Sequence, residues 1–359
     1  MSRILIAGGG TGGHIAPAIA VAEALLAVEP SVSVSFVRTP RPVDGIMYAP
    51  FGGSARILDS PRVDRGPLSA PLLPFTASRA LAKALGIIRD VRPDAIFVTG
   101  GYASFFCAAA GWLRRIPVLL HESNALPGRA NRAASRFARR VLVGFECAAA
   151  WFGRKAVVAG NPVRTSLARI ARAEARTSLG LAPHSPVVLV LGGSQGARAL
   201  NDIALAAPEG IQVALQCGER DFERVAAASS GRRGFHVTAF EPDPSVLYSA
   251  ADFAVARAGA MTMTELSHYA IPCVLVPYPL AAGDHQTPNA MAAAATGGAL
   301  AVQERDADAG SLWNRIASIL SDAELLSSMS AAISRLFRPG SAEAVARMIL
   351  TEAGWGASS

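Results

Sequence analysis

Lysine is nearly missing from this chain: of its 34 basic residues, all but Lys83 and Lys155 are arginine, which reads as the mark of a GC-rich coding sequence. No Lys/Arg run exceeds two residues, which argues against a polybasic nucleic-acid tail. Charged residues make up only 17% of the chain and hydrophobic ones 51%, which excludes a mostly disordered polypeptide. The four cysteines, at 107, 147, 217 and 273, form no C-x-x-C pair, so neither a zinc site nor a redox pair is encoded. Free thiols fit a reducing cytosol. No stretch approaches the ~18 apolar residues of a membrane span, and the apolar run Ile4–Ala7 is too short for a signal peptide. A G-K-[ST] phosphate loop is absent, and His121, His184, His236, His268 and His285 show no i, i+4 pairing with another ligand type, so no metal site is expected.

What is present points to two domains. A chain of 359 residues, at ~150 per domain, suggests that number. The net charge of +7 suits a phosphorylated substrate or an anionic membrane surface. Residues 3–7 read as a strand, Gly8-Gly9-Gly10 as a turn and 15–28 as a helix, with further strands at Val32–Val37, Ala95–Val98 and Val118–Leu120. The pattern restarts after Gly160-Asn161-Pro162: Val187–Leu191 leads into Gly192-Gly193-Ser194-Gln195-Gly196, and Val213–Gln216, Phe253–Ala256, Cys273–Val276 and Leu300–Val302 follow. Strands alternating with helices predict two Rossmann-like α/β domains in tandem, facing each other across a cleft.

Ligands of open parallel sheets bind at the carboxyl ends of the strands, and the polar clusters of this chain fall there. The first glycine turn lacks a convincing dinucleotide fingerprint, because Phe36-Val37-Arg38 stands where an acidic residue is required. Arg257-Ala258-Gly259-Ala260-Met261-Thr262-Met263-Thr264-Glu265 is more informative. Small residues at a helix start let a phosphate approach unpaired N–H groups, and Glu265 is placed to accept from a ribose diol. With Thr262 three residues earlier, Glu265 also reads as a capping-box residue. His14, just inside a helix start, is biased toward the neutral imidazole of a general base; a structural histidine is the alternative.

Taken together, Gly9-Gly10-Thr11-Gly12-Gly13-His14 with Pro17, Gly100-Gly101-Tyr102, His121-Glu122-Ser123-Asn124 with Gly128 and Asn131-Arg132, Gly160-Asn161-Pro162-Val163-Arg164, Gly192 through Ala197 with Asn201, Arg257 through Thr262, and His285-Gln286 with Asn289-Ala290 form an ordered set covering nearly the whole chain. The set resembles the MurG family, the bacterial glycosyltransferases of family 28 that add N-acetylglucosamine to lipid I to make lipid II. The resemblance implies a GT-B fold with an acceptor domain over 1–162, completed by a C-terminal helix within 341–359, and a donor domain over 163–340. It implies inverting transfer from UDP-GlcNAc to the 4-hydroxyl of the muramyl sugar, with His14 as base and no cofactor. Family donor contacts map onto Thr11, Gly12, Gly13, Asn124, Arg164, Ser194, Glu241 (through its backbone), Ala260, Met261, Thr262, Met263, Thr264, Glu265, Gln286 and Asn289. Tyr102 and Glu122 fall on the acceptor side. Implied partners are UDP-GlcNAc, lipid I, the inner face of the cell membrane and other proteins of cell-wall synthesis.

Three departures from the family pattern lie in the acceptor half: Ala103-Ser104-Phe105-Phe106 after the Gly-Tyr motif, Ser123 in place of glutamine, and the Pro-, Gly- and Arg-rich stretch 38–66. They leave open a GT-B transferase with another lipid or aglycone as acceptor, and behind it a non-catalytic UDP-sugar binder or a UDP-sugar 2-epimerase. A lipid-linked acceptor requires a surface-bound enzyme, peripheral on the cytoplasmic face. Residues 68–92 suit that task, with Leu72, Leu73 and Phe75 as an apolar cluster expected partly in a loop between Pro71 and Pro74, and Arg79 and Lys83 sharing one face of the following helix. Leu81, Leu85 and Ile88 read as core.

Overall fold

The computed structural model describes residues 2–59, 73–193 and 195–355. It divides into two compact units, one of residues 1–165 and 338–359, the other of residues 166–337.

In the first unit β1 (Arg3–Gly8) leads to α1 (Gly12–Val28), β2 (Ser33–Arg38), α2 (Pro42–Tyr48), β3 (Ala55–Ile57), α3 (Leu73–Val91) and β4 (Ala95–Gly100). There follow α4 (Tyr102–Leu113), β5 (Val118–Glu122), α5 (Arg129–Ala134), β6 (Arg140–Val143) and β7 (Ala156–Val158). Among the described residues its seven strands are parallel, in the order β3-β2-β1-β4-β5-β6-β7. Helices on both faces explain why β1 and β4 read as unbroken apolar runs: Ile4 through Ala7 and Ala95 through Val98 are fully buried. Helix α1 is apolar over most of its surface, with buried Ile15, Ile19, Val21 and Leu25, as a helix packed on several sides must be.

The second unit runs α6 (Arg172–Ser178), β8 (Val187–Leu191), α7 (Arg198–Leu205), β9 (Gln212–Gln216), α8 (Phe222–Ser229), β10 (Phe235–Thr238), α9 (Ser245–Ala250) and β11 (Phe253–Ala256). It continues with α10 (Ala260–His268), β12 (Cys273–Leu275), α11 (Gln286–Ala294), β13 (Ala299–Ala301), α12 (Ala309–Ser321) and α13 (Ala323–Ile333). Its six parallel strands take the order β10-β9-β8-β11-β12-β13. The chain then returns to the first unit as α14 (Ser341–Glu352). Val345, Ala346, Ile349 and Leu350 of α14 are fully buried in one core with Ile15, Ile19 and Leu25 of α1. Burial of a side chain the size of Ile349 or Leu350 contributes ~1.5–3 kcal/mol, so α14 is part of the first unit's core.

Strand order reverses direction between β1 and β4 in one sheet and between β8 and β11 in the other. Such switch points open a crevice at the strands' carboxyl ends. The turn Gly9–Thr11 and the pair Gly100-Gly101 flank the first; Gly192-Gly193 and Arg257–Gly259 flank the second.

Candidate active site

At the first switch point the register slips between Ala7 and Gly8, so that Gly8 pairs with Gly100. A Cβ on Gly8 would lie 2.2 Å from the Thr99 hydroxyl, and one on Gly100, whose φ is +124°, would lie 2.8 Å from Cδ2 and Nε2 of His14. Both glycines therefore answer to close packing, and the second makes the bed for the imidazole. Gly12 and Gly13 differ: no atom stands within 4 Å of a Cβ on Gly12, and only the Thr11 hydroxyl, at 3.9 Å, near one on Gly13. Nothing internal demands glycine there, so their bare backbone faces outward at the start of α1.

His14 is half-buried. Its main-chain carbonyl accepts from the Thr99 hydroxyl at 2.6 Å. Nδ1 lies 3.3 Å from the Gly9 carbonyl and 3.3 Å from the Thr11 hydroxyl. A carbonyl can only accept, so this contact puts a proton on Nδ1, which in the neutral imidazole leaves the lone pair on Nε2. That is the tautomer a base requires. Tyr102 begins α4 directly after Gly101.

Glu122, expected on the acceptor side, is turned inward and is 1% exposed. It accepts from the N–H and side-chain amide of Asn124 at 2.9 Å each, from the Gly128 N–H at 3.1 Å and from the Asn131 amide at 2.9 Å. Burial holds its carboxyl above the usual range, and these hydrogen bonds offset part of the shift. Its work is to tie the 123–131 loop, including Asn124, to the end of β5. Its neighbour His121 is fully buried, and burial lowers its imidazole to about 4. Ser123, a departure from the family pattern, places its hydroxyl 3.2 Å from Nδ1 of His121. Phe106 is buried too and Phe105 half-buried, packed edge-on to each other at 5.3 Å, with Phe105 edge-on to Phe137 at 5.7 Å. Arg164 is half-buried in the segment after β7.

At the second switch point Gly259 is the N-cap of α10 and no side chain caps that end. The N–H groups of Ala260, Met261 and Thr262 form the helix's open first turn, the geometry that receives an anion. Thr262 lies inside the helix, so it is not the N-cap, and the capping-box reading of Glu265 is set aside. Instead Glu265, buried, accepts from the Tyr248 hydroxyl at 2.7 Å. Met261, Met263 and Thr264 are buried, the last donating back to the Ala260 carbonyl. Asn289 is fully buried and donates to the Ala258 carbonyl at 3.1 Å, bracing the turn from behind. Gln286 accepts from the Tyr278 N–H at 2.9 Å. The Glu241 N–H is engaged by the Gln216 side chain at 3.1 Å. Ser194 lies outside the described residues.

Sequence reasoning missed several supports of these side chains. Asp44, Tyr48 and Arg41 on or beside α2 grip the first glycine turn, Tyr248 sets Glu265, and Arg257 donates to the carbonyls of Val276 and Pro277 and pairs with Glu304. Pro42 at the first position of α2 was the one local sign of a helix there. The apolar wedge is corrected as well. Leu73 and Phe75 belong to α3 rather than to a loop, since proline is tolerated in a helix's first turn. Leu72 lies outside the described residues.

Residues 4–143 match the glycosyltransferase family 28 N-terminal domain and residues 187–345 the glycosyltransferase family 28 C-terminal domain. The chain is 36% identical over 358 residues to the UDP-N-acetylglucosamine--N-acetylmuramyl-(pentapeptide) pyrophosphoryl-undecaprenol N-acetylglucosamine transferase of Symbiobacterium thermophilum, covering 97% of this chain and 96% of that protein. The protein of the same description from Alkalilimnicola ehrlichii is 38% identical over 366 residues, with 98% and 99% covered. Among solved structures, MurG of Acinetobacter baumannii superposes with a TM-score of 0.74 at 29% identity, covering 98% of this chain and 99% of that one. The S. aureus MnaA–UDP co-structure has a TM-score of 0.70 at 13% identity and shares the fold alone. With two parallel-sheet α/β units of the GT-B kind and relatives matched over nearly their whole length, this chain belongs to glycosyltransferase family 28.

Proposed function

We propose that this enzyme transfers N-acetylglucosamine from UDP-GlcNAc to the 4-hydroxyl of the muramyl sugar of lipid I, giving lipid II and UDP. The observation that carries the donor half is the open first turn of α10 followed by the buried, Tyr248-set carboxylate of Glu265. N–H groups at a helix start receive a diphosphate, and a fixed carboxylate accepts from a ribose diol. In this reading the acceptor oxygen bonds to the anomeric carbon, the bond from that carbon to the diphosphate oxygen breaks, and UDP leaves with the electron pair. Nε2 of His14 takes the hydroxyl proton. Arg164, Ser194 and the turn at Gly259–Thr262 meet the departing charge, while Thr11, Gly12, Gly13, Asn124, Glu241, Gln286 and Asn289 form or support the remaining donor contacts. Tyr102 belongs to the acceptor side. The burial of Phe106 and Ser123 supports keeping lipid I as acceptor, because these departures alter packing rather than exposed chemistry.

The same reading puts the enzyme on an anionic membrane surface on the cytoplasmic side. No single helix among the described residues is long and apolar enough to cross a membrane. Phe75 is 62% exposed, with the Arg79 guanidinium 6.0 Å from its ring centre and Lys83 exposed one turn on. Lys83 also borders a groove of about 320 Å³ with Arg56 and Ile57. An apolar side chain among cations is what interfacial binding requires.

The test is UDP release from UDP-GlcNAc with and without lipid I. Release that depends on lipid I and yields lipid II is expected. Release indifferent to lipid I, or epimerised donor, would overturn the assignment.

A further inference from the structure

We infer that Asp44 is a positioning residue for the base: from α2 it fixes the Gly8–Gly10 turn and, through the Gly9 carbonyl, the tautomer and aim of His14. This rests on His14 acting as the base. Asp44 is fully buried on a helix whose other residues are mostly at least partly exposed. Both of its oxygens accept from the Gly10 N–H, at 3.1 Å each. Oδ2 also accepts from the N–H and the hydroxyl of Thr39, at 2.8 Å each. One turn along α2, buried Tyr48 donates its hydroxyl to the Gly8 carbonyl at 2.8 Å, and Arg41, the N-cap, donates to the Gly10 carbonyl.

Three side chains of one short element thus hold both polar groups of Gly10 and the carbonyl of Gly8. Between them stands Gly9, whose carbonyl faces Nδ1 of His14 at 3.3 Å. A Cβ on Gly9 would lie 2.4 Å from Oδ2 of Asp44, so the carboxylate rests directly against the peptide it orients. A fully buried carboxylate facing only donors is costly to assemble unless every bond is made. Here the bonds converge on the turn that carries the base. Rotation of the Gly9 carbonyl would release Nδ1, let the proton move to Nε2, and turn the acceptor of the acceptor-hydroxyl proton into a donor.

The experiment measures kcat and KM for UDP-GlcNAc with lipid I in wild type, Asp44→Asn, His14→Ala and the double variant. Asparagine keeps the shape but turns an –NH2 toward the donors of Gly10 or Thr39. Asp44→Asn is expected to lower kcat about 10- to 100-fold, the scale of a misplaced reacting group, with KM for UDP-GlcNAc within about twofold. In the His14→Ala background it should lower kcat no further. Because loss of a buried carboxylate can unfold the turn, Tyr48→Phe serves as the second variant. It removes one hydroxyl and keeps the ring, which packs 4.9 Å from Phe36. It should show a smaller kcat loss that also vanishes without His14. Equal kcat losses with and without His14, or a loss carried in KM, would overturn the positioning role while leaving His14 as base. Near-normal turnover by His14→Ala would overturn the base assignment itself, and this inference with it.

Discussion

The hydroxyl of Tyr248 donates to Oε2 of Glu265 at 2.7 Å, with both side chains buried. Tyr248 is itself held, its ring stacked on Tyr269 at 5.1 Å, and the Tyr269 hydroxyl reaches the Ala168 carbonyl at 3.0 Å. The carboxylate is therefore aimed before any nucleotide arrives, so little side-chain entropy is lost on binding. Replacing Glu265 with alanine should weaken UDP binding by a few kcal/mol, given ~1.5–3 kcal/mol for each hydrogen bond to a charged group. Titration calorimetry with UDP and its 2′-deoxy analogue checks the cause. The deoxy penalty should be large in wild type and small in the variant, and equal penalties would make Glu265 a purely structural residue.

His14→Ala should lower turnover by roughly 10²–10⁴-fold, the usual worth of a general base, and leave UDP affinity nearly intact. Gly100→Ala tests the same site from beneath the ring. Its Cβ would stand 2.8 Å from the imidazole at a φ of +124°, so turnover should fall while the fold of the second unit is untouched and UDP binding is kept.

The buried His121 gives stability a pH dependence of defined sign. Burial lowers its folded-state value from 6.5 to about 4, so below pH 6.5 the unfolded chain takes up the proton first. Its contribution is fully present above about pH 6.5 and is lost as pH falls toward 4, amounting to about 3 kcal/mol over that window. Urea unfolding of wild type and His121→Gln at pH 7.5 and pH 5 isolates the effect. The gap between the two pH values should shrink in the variant; an unchanged gap would assign the pH dependence to other groups.

Membrane attachment is read by co-sedimentation with vesicles of neutral or anionic lipid across a salt series. Binding should demand anionic lipid, weaken as salt rises, and fall sharply when Leu72, Leu73 and Phe75 are all changed to serine, while activity on a soluble acceptor analogue persists. Undiminished sedimentation of that variant would move the membrane face elsewhere.

The central strands were legible because burial on both faces writes an unbroken apolar run; Phe253–Ala256 begins and ends where the sequence pattern does. The strands β3, β6, β7 and β10 were not. Strand β6 is a run of only four residues, Arg140–Val143. Strands β3, β7 and β10 are sheet edges of three or four half-exposed residues, so neither face imposes a clean pattern. Glycine turns were visible as letters, but the letters do not separate Gly8, required by the Thr99 hydroxyl, from Gly12, which nothing internal requires. Asp44 was invisible for a related reason. A single buried carboxylate has no period, and its partners are the Gly10 N–H, 34 positions away, and the N–H and hydroxyl of Thr39, 5 positions away. Glu265 stood out in its motif as an acceptor for a ribose diol, yet its partner Tyr248 comes from α9, 17 positions earlier, beyond the reach of any local motif.

The return of α14 to the first unit bears on the order in which the chain matures on the ribosome. The core around Ile15, Ile19 and Leu25 is sealed by Val345, Ala346, Ile349 and Leu350, the last of the described core to be synthesised. Until those residues leave the exit tunnel, one apolar side of α1 stays bare, although every residue of the second unit has already emerged. The unit encoded later can thus complete its fold first, and the one encoded first must wait. A premature stop before Ser341 would deliver a finished second unit attached to a first unit with its core open, a species suited to aggregation or proteolysis rather than to partial activity.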